Sequence, residues 1–150
     1  MRILILSMAA CILAGAAMAV QPALNTELAR GTGSTLWAAL ISVLVSALLL
    51  GAIVSGLRLP LPSRSGLAGV EGWGWIGGAA GVVFICATLW SVGRLGLTGV
   101  VVLVVAGQFF AASLVDHYGF FHLTRRPIDV QRIAGLGLIA AGVVLTLRGH

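Results

Sequence analysis

The sequence predicts an all-α polytopic integral membrane protein, a helical bundle with five transmembrane helices that make up a single transmembrane domain over residues 1–150. Three observations predict it. Hydrophobic residues form 59% of the chain and charged residues 9%, which leaves too few polar groups to coat a water-soluble globule. Apolar runs occupy 3–20, 35–57, 75–92, 97–115 and 130–147, each close to the roughly 20 residues that cross a bilayer core. The net charge of +5 comes from nine arginines and no lysine against four acids, and the arginines fall in the gaps between runs, where helix ends meet headgroups. That spread excludes a nucleic-acid patch and makes the lipid bilayer the first partner. The longest connections, 58–74 and 116–129, are too short to bury a soluble core of their own.

The first run, "MRILILSMAACILAGAAMAV", has a basic start, an apolar centre and a small-x-small site at Ala17-Met18-Ala19, as a secretory signal would. Its apolar stretch is long for a signal core, so it is read as a retained span. Directly after it, "QPALNTEL" places Gln21 and Asn25 four apart and about 40° from each other on one helical face, if the helix continues through Pro22. Pro22 would leave the Met18 carbonyl without its usual donor, bending the helix like a hinge and baring a backbone acceptor beside two amides. The bland alternative is a helix end whose amides reach headgroups. Glu27 lies about 160° from Asn25 and faces elsewhere.

Ser34 is placed to cap the second helix and Asp129 the fifth; Pro60 and Pro62 keep the loop between the second and third runs extended, and Pro127 restricts Arg126 before the last span. Trp37, Trp73, Trp75 and Trp90 fall near helix ends, where an indole sits half in lipid and half among headgroups. The stretch "SVGRLGLTG", 91–99, has neither the strand nor the spacing of a phosphate loop and reads as a tight turn between the third and fourth helices.

The fourth run carries Gln108 roughly 16 Å into a core about 30 Å thick, near the midplane, where an unpaired amide is costly. Val104, Ala111, Ala112 and Val115 share its stripe, so the expectation is that Gln108 points inward, either to an interhelical hydrogen bond or to a substrate pathway. The fifth run contains Gln131 and Arg132, and Arg132 is expected to snorkel toward the headgroups. Asp116 and His117 form a polar pair at the end of the fourth helix; as sequence neighbours they point about 100° apart and are expected to anchor the end rather than share a cavity. Small residues four apart offer close helix packing: Gly15 with Ala19, Gly77 with Gly81, Gly107 with Ala111, and Gly137 with Ala141, of which Gly77 with Gly81 is the strongest.

Arginines on alternate sides of the five spans divide six against three, which puts the N-terminus in the cytoplasm. No ionisable side chain lies deep in the first four runs, so proton exchange through a buried carboxylate has no carrier. His117, His122 and His150 lack metal-ligand spacing, Cys11 and Cys86 sit in separate runs, and no nucleophile has a base in reach. Neither an enzyme nor a cofactor or metal is expected.

Five stretches carry a family resemblance: "QPALNTELAR", "GSTLWAALISVLVSALLL", "GWGWIGGAAGVVF", "GRLGLTGVVVLVVAGQFFAASLVDHYGFF" and "RPIDVQRIAGLGLIAAGVVL". Over nearly its whole length the chain resembles the YdcZ-type family of short five-helix inner-membrane proteins in the drug/metabolite transporter superfamily. Gly107, Gln108, Asp116, His117 and Gly119 are the most specific part. Val43 and Ser46 depart from the pattern, standing where an aromatic residue and a glycine are expected. The resemblance implies a half-size transporter that pairs with a second copy or a related subunit. Relatives that expel cations use a carboxylate in the first helix, whereas between Arg2 and Gln21 this chain has only apolar residues, one serine and one cysteine. The expectation is therefore a transporter subunit for a small neutral or zwitterionic metabolite, contacted by Gln21, Asn25 and Gln108. The alternative is a non-transporting membrane partner that stabilises another complex.

Overall fold

The computed structural model describes residues 2–148; His150 lies outside the described residues. The described chain is helical throughout its apolar runs, as α1 (Arg2–Thr32), α2 (Thr35–Gly56), the short α3 (Arg64–Ala68), α4 (Ile76–Tyr118) and α5 (Val130–Arg148), with no strand among the described residues. Of these, α1, α2, α5 and the 3-10 turn with α4 are long and apolar enough to cross a membrane. At 1.5 Å per residue α4 would run about 65 Å, twice a bilayer core, but it breaks at Gly96 (φ 67, ψ 165), a conformation open to glycine and costly for other residues. The break leaves arms of about 20 and 22 residues, so five membrane-length helices result. The expected turn over 91–99 thus contracts to one residue, because leucine and valine keep the chain helical up to and just after it.

The chain forms two compact units, residues 1–90 and 91–150. In the first, α1 passes through Pro22 and ends twelve residues beyond the expected boundary at Val20. Thr26 donates its hydroxyl proton to the Pro22 carbonyl (2.9 Å), one turn back on the same helix. Gly33, at φ 68, stops α1 in the left-handed conformation, and Ser34 starts α2 at once by accepting the Trp37 amide (3.4 Å). This tight link lays α1 against α2. After α2, Arg58 takes a positive φ of 51, and Ser63 caps α3 by accepting the Gly66 amide (3.0 Å). Trp73 and Trp75 lie just before α4, Trp37 in the first turn of α2, and Trp90 six residues before Gly96; all four are exposed. The buried positions of this unit are Pro22, Asn25, Ala38, Ala39, Ile85, Thr88 and Leu89.

In the second unit, α5 approaches the second arm of α4 where side chains are absent: a Cβ on Gly99 would lie 3.4 Å from Leu147 Cδ2, and one on Gly135 would lie 3.7 Å from Phe109 Cζ. Gly119 ends α4 at φ 68, its amide bonded to the Val115 carbonyl (2.9 Å). Asp129 starts α5 by accepting the Arg132 amide (2.8 Å).

Exposure is inverted relative to a water-soluble fold. Ile3, Leu48 and Val83 are among many large apolar side chains left outside, while three of the buried residues, Asn25, Thr88 and Ser113, are polar. Lipid solvates the former as well as a protein core would, so burial falls to small and hydrogen-bonding groups. The hydroxyls of Ser7, Thr26, Ser46, Thr88, Ser113 and Thr146 each donate to the carbonyl four residues back on their own helix.

The small-residue pairs are placed differently from expectation. A Cβ on Gly15, Gly77, Gly81, Gly107 or Gly137 would meet open space within the described residues. The glycines at which another spanning helix comes close are Gly99 and Gly135, outside those pairs.

Candidate functional site

Asn25 is 4% exposed, and its Nδ2 has no hydrogen-bond partner among the described residues. It sits on the same helix as Pro22, three positions on and about 60° round, so both belong to the buried face of α1. Gln21, about 40° from Asn25 on the other side of Pro22, is half-buried. An unmet buried donor costs about 1–3 kcal/mol, more than an incidental core amide would be expected to carry. Glu27 does face elsewhere, pairing with Arg30 on the exposed helix end (2.6 Å).

Gln108 departs from its expected orientation: it is exposed on the surface of its unit. The buried polar residue of that arm is Ser113, about 140° round the helix, and Phe109 meets Gly135 of α5. Helical period fixed which residues share a stripe with Gln108 but not which stripe turns inward. Ala111 and Ala112 on its stripe are exposed too.

Asp116 and His117 are joined to the connection that follows them. The Arg132 guanidinium meets Asp116 Oδ2 at 3.1 Å and donates to the Arg126 carbonyl at 3.3 Å. Arg126 in turn donates its amide to the Asp116 carbonyl (2.7 Å), and Arg125 Nε donates to the His117 carbonyl (3.0 Å). His117 Nδ1 accepts the Ile128 amide at 3.0 Å, which requires an imidazole unprotonated at Nδ1. The two neighbouring side chains therefore do serve one structure, because residues 119–129 wrap the helix end and present partners on both faces. Arg132, expected to reach for headgroups, turns to Asp116 instead. The signal was in the sequence: an arginine just inside an apolar run seeks a counter-charge, and with Asp129 committed to capping α5, Asp116 at the end of the preceding span is the next acid before it.

Sequence reasoning passed over Thr88 and Ser113, each 4% exposed. Their protons are held by Phe84 and Phe109 carbonyls at 2.9 and 2.7 Å, which makes them self-sufficient on their helices. An open, apolar groove of about 540 Å³ lies beside Thr35 and Trp90 in the first unit, and another of about 510 Å³ beside Phe110 and Gly137 in the second. Their linings suit acyl chains rather than a polar solute.

These helices define a multi-span membrane protein. The chain belongs to the family described as "Putative inner membrane exporter, YdcZ", whose model matches residues 6–145. Neither the curated proteins nor the solved structures contain a match to it.

Proposed function

We propose that the chain is one subunit of a secondary-type transporter that moves a small neutral or zwitterionic metabolite across the inner membrane, with its N-terminus in the cytoplasm. The observation that carries this reading is the Asn25 amide, buried on a proline-containing helix with its nitrogen unpartnered. A group kept in that state is available to a solute and contributes little to the fold. Gln21 joins it as the adjoining half-buried amide, and Pro22 supplies the hinge. The exterior position of Gln108 supports pairing: near the bilayer midplane an amide facing acyl chains is disfavoured, and a second copy or related subunit would cover it. The open stripe along Gly107 and Ala111, and that along Gly77 and Gly81, offer the close approach such pairing needs.

The test is reconstitution of the purified chain in liposomes with a panel of labelled metabolites. Saturable flux is the expected result, and Gln108→Leu is expected to abolish it while leaving insertion unchanged, with pairing weakened because the amide that a second subunit would cover is gone. Undiminished flux in that variant would reduce Gln108 to a packing role. The exposed Gln108 equally favours a second reading, a non-transporting partner that stabilises another membrane complex; such a protein would move nothing across the liposome by itself.

A further inference from the structure

We infer that the solute is recognised through an oxygen acceptor that it presents to the Asn25 amide, so that carbonyl- and carboxylate-bearing compounds are selected over bare ammonium cations. The inference rests on the transport reading and adds the polarity of recognition to it.

The buried side chain left without a partner in the first unit has a definite sign. Thr26 and Thr88 have already placed their protons on carbonyls of their own helix, at 2.9 Å in both cases. At Asn25 the fully buried atom without a partner is the amide nitrogen, which can only donate. No acid of the same unit supplies the acceptor: Glu27 is bonded to Arg30 on the exposed helix end, and the exposed Glu71 accepts from the Trp73 indole. An ammonium offered to this nitrogen would set donor against donor and leave the amide nitrogen desolvated and unpaired, which an oxygen-bearing solute would not.

A complementary group lies on the same helix. Pro22 has no amide hydrogen, so the Met18 carbonyl has lost its helical donor. That carbonyl is aimed at the level of Pro22, about one helical turn below Asn25, whose side chain leans back toward the N-terminus. A backbone acceptor and a side-chain donor roughly 5 Å apart along the axis match a solute head that carries an oxygen beside an N–H, as primary amides and α-amino acids do.

Asn25 is the single asparagine of the chain, so labelling with ¹⁵N-asparagine gives one side-chain amide pair. The full-length chain in lipid nanodiscs is titrated with acetamide, L-alanine and n-propylammonium. Acetamide or alanine is expected to move the amide protons downfield and saturably, with n-propylammonium without effect. Signals that ignore both oxygen-bearing probes, that respond equally to n-propylammonium, or that already stand at a hydrogen-bonded position before any probe is added overturn the inference.

Flux of the same labelled probes into liposomes separates this from the transport reading. Amide signals that respond while no probe crosses sink transport and leave recognition standing; probes that cross while the signals stay still do the reverse. In Asn25→Asp the donor becomes an acceptor of equal size, and the rate for the oxygen-bearing probes is expected to fall about tenfold relative to n-propylammonium. An unchanged ratio in an inserted variant counts against the inference.

Discussion

Replacing Arg132 with glutamine removes the cation from the half-buried pair with Asp116 and tests whether residues 119–129 are held to the end of α4 by charge. The arginine and aspartate side chains are 27% and 34% exposed, between the surface pairs that contribute about 0–1 kcal/mol and the buried ones whose breaking costs about 3–5. A value of about 1 kcal/mol for the 3.1 Å ion pair, discounted for water, is combined with about 0.5–1 for the lost bond to the Arg126 carbonyl. The variant should therefore lose roughly 2 kcal/mol. Asp116→Asn should cost less, since Arg132 keeps its bond to Arg126 and can extend to the headgroups. Reversible unfolding in mixed micelles, with a double-mutant cycle over Asp116→Asn and Arg132→Gln, measures the coupling directly. A coupling of about 1 kcal/mol that shrinks with added salt is expected. Coupling below about 0.3 kcal/mol, or a larger loss for Asp116→Asn than for Arg132→Gln, refutes the reasoning.

Gly119→Ala should destabilise by about 1–2 kcal/mol, because its φ of +68 disfavours any Cβ and the new methyl would lie 3.2 Å from the Leu123 carbonyl and 3.3 Å from Arg125 Cβ; thermal unfolding in detergent reads this. Asn25→Leu should stop flux yet leave stability equal or raised by about 1–2 kcal/mol, since it removes an unpartnered buried donor; a clear loss of stability would mean that the amide holds the fold together.

Length and composition were enough to read the five spans, since apolar runs near bilayer thickness have few other solutions. Ser34 and Asp129 were equally readable, because each combines a short acceptor side chain with the start of an apolar run and caps it as expected. The passage of α1 through Pro22 was stated only as a condition: local chemistry allows a helix to stop or to bend there, and the surroundings decide. Gln108 shows a second limit. Ala111 and Ala112 of its stripe are exposed with it and Val104 and Val115 half-buried, but in lipid a polar face can be covered from inside the chain or by another molecule, and periodicity treats the two alike. The same ambiguity explains Gly77 and Gly81, whose spacing announces a close approach without naming the partner. The wrap of 119–129 depends on main-chain donors and on positive φ at Gly119, Phe121 and His122, of which only the glycine could be anticipated.

Because Ser7, Thr26, Ser46, Thr88, Ser113 and Thr146 give their protons to the turn beneath them, these six hydroxyls donate no rung to a neighbouring rod. Sliding α1 along α2 would cost dispersion contacts, which re-form in the next register, without first prising apart a donor and acceptor. A machine that must visit two arrangements in oil gains from such self-sufficient cylinders: the barrier between its states stays low.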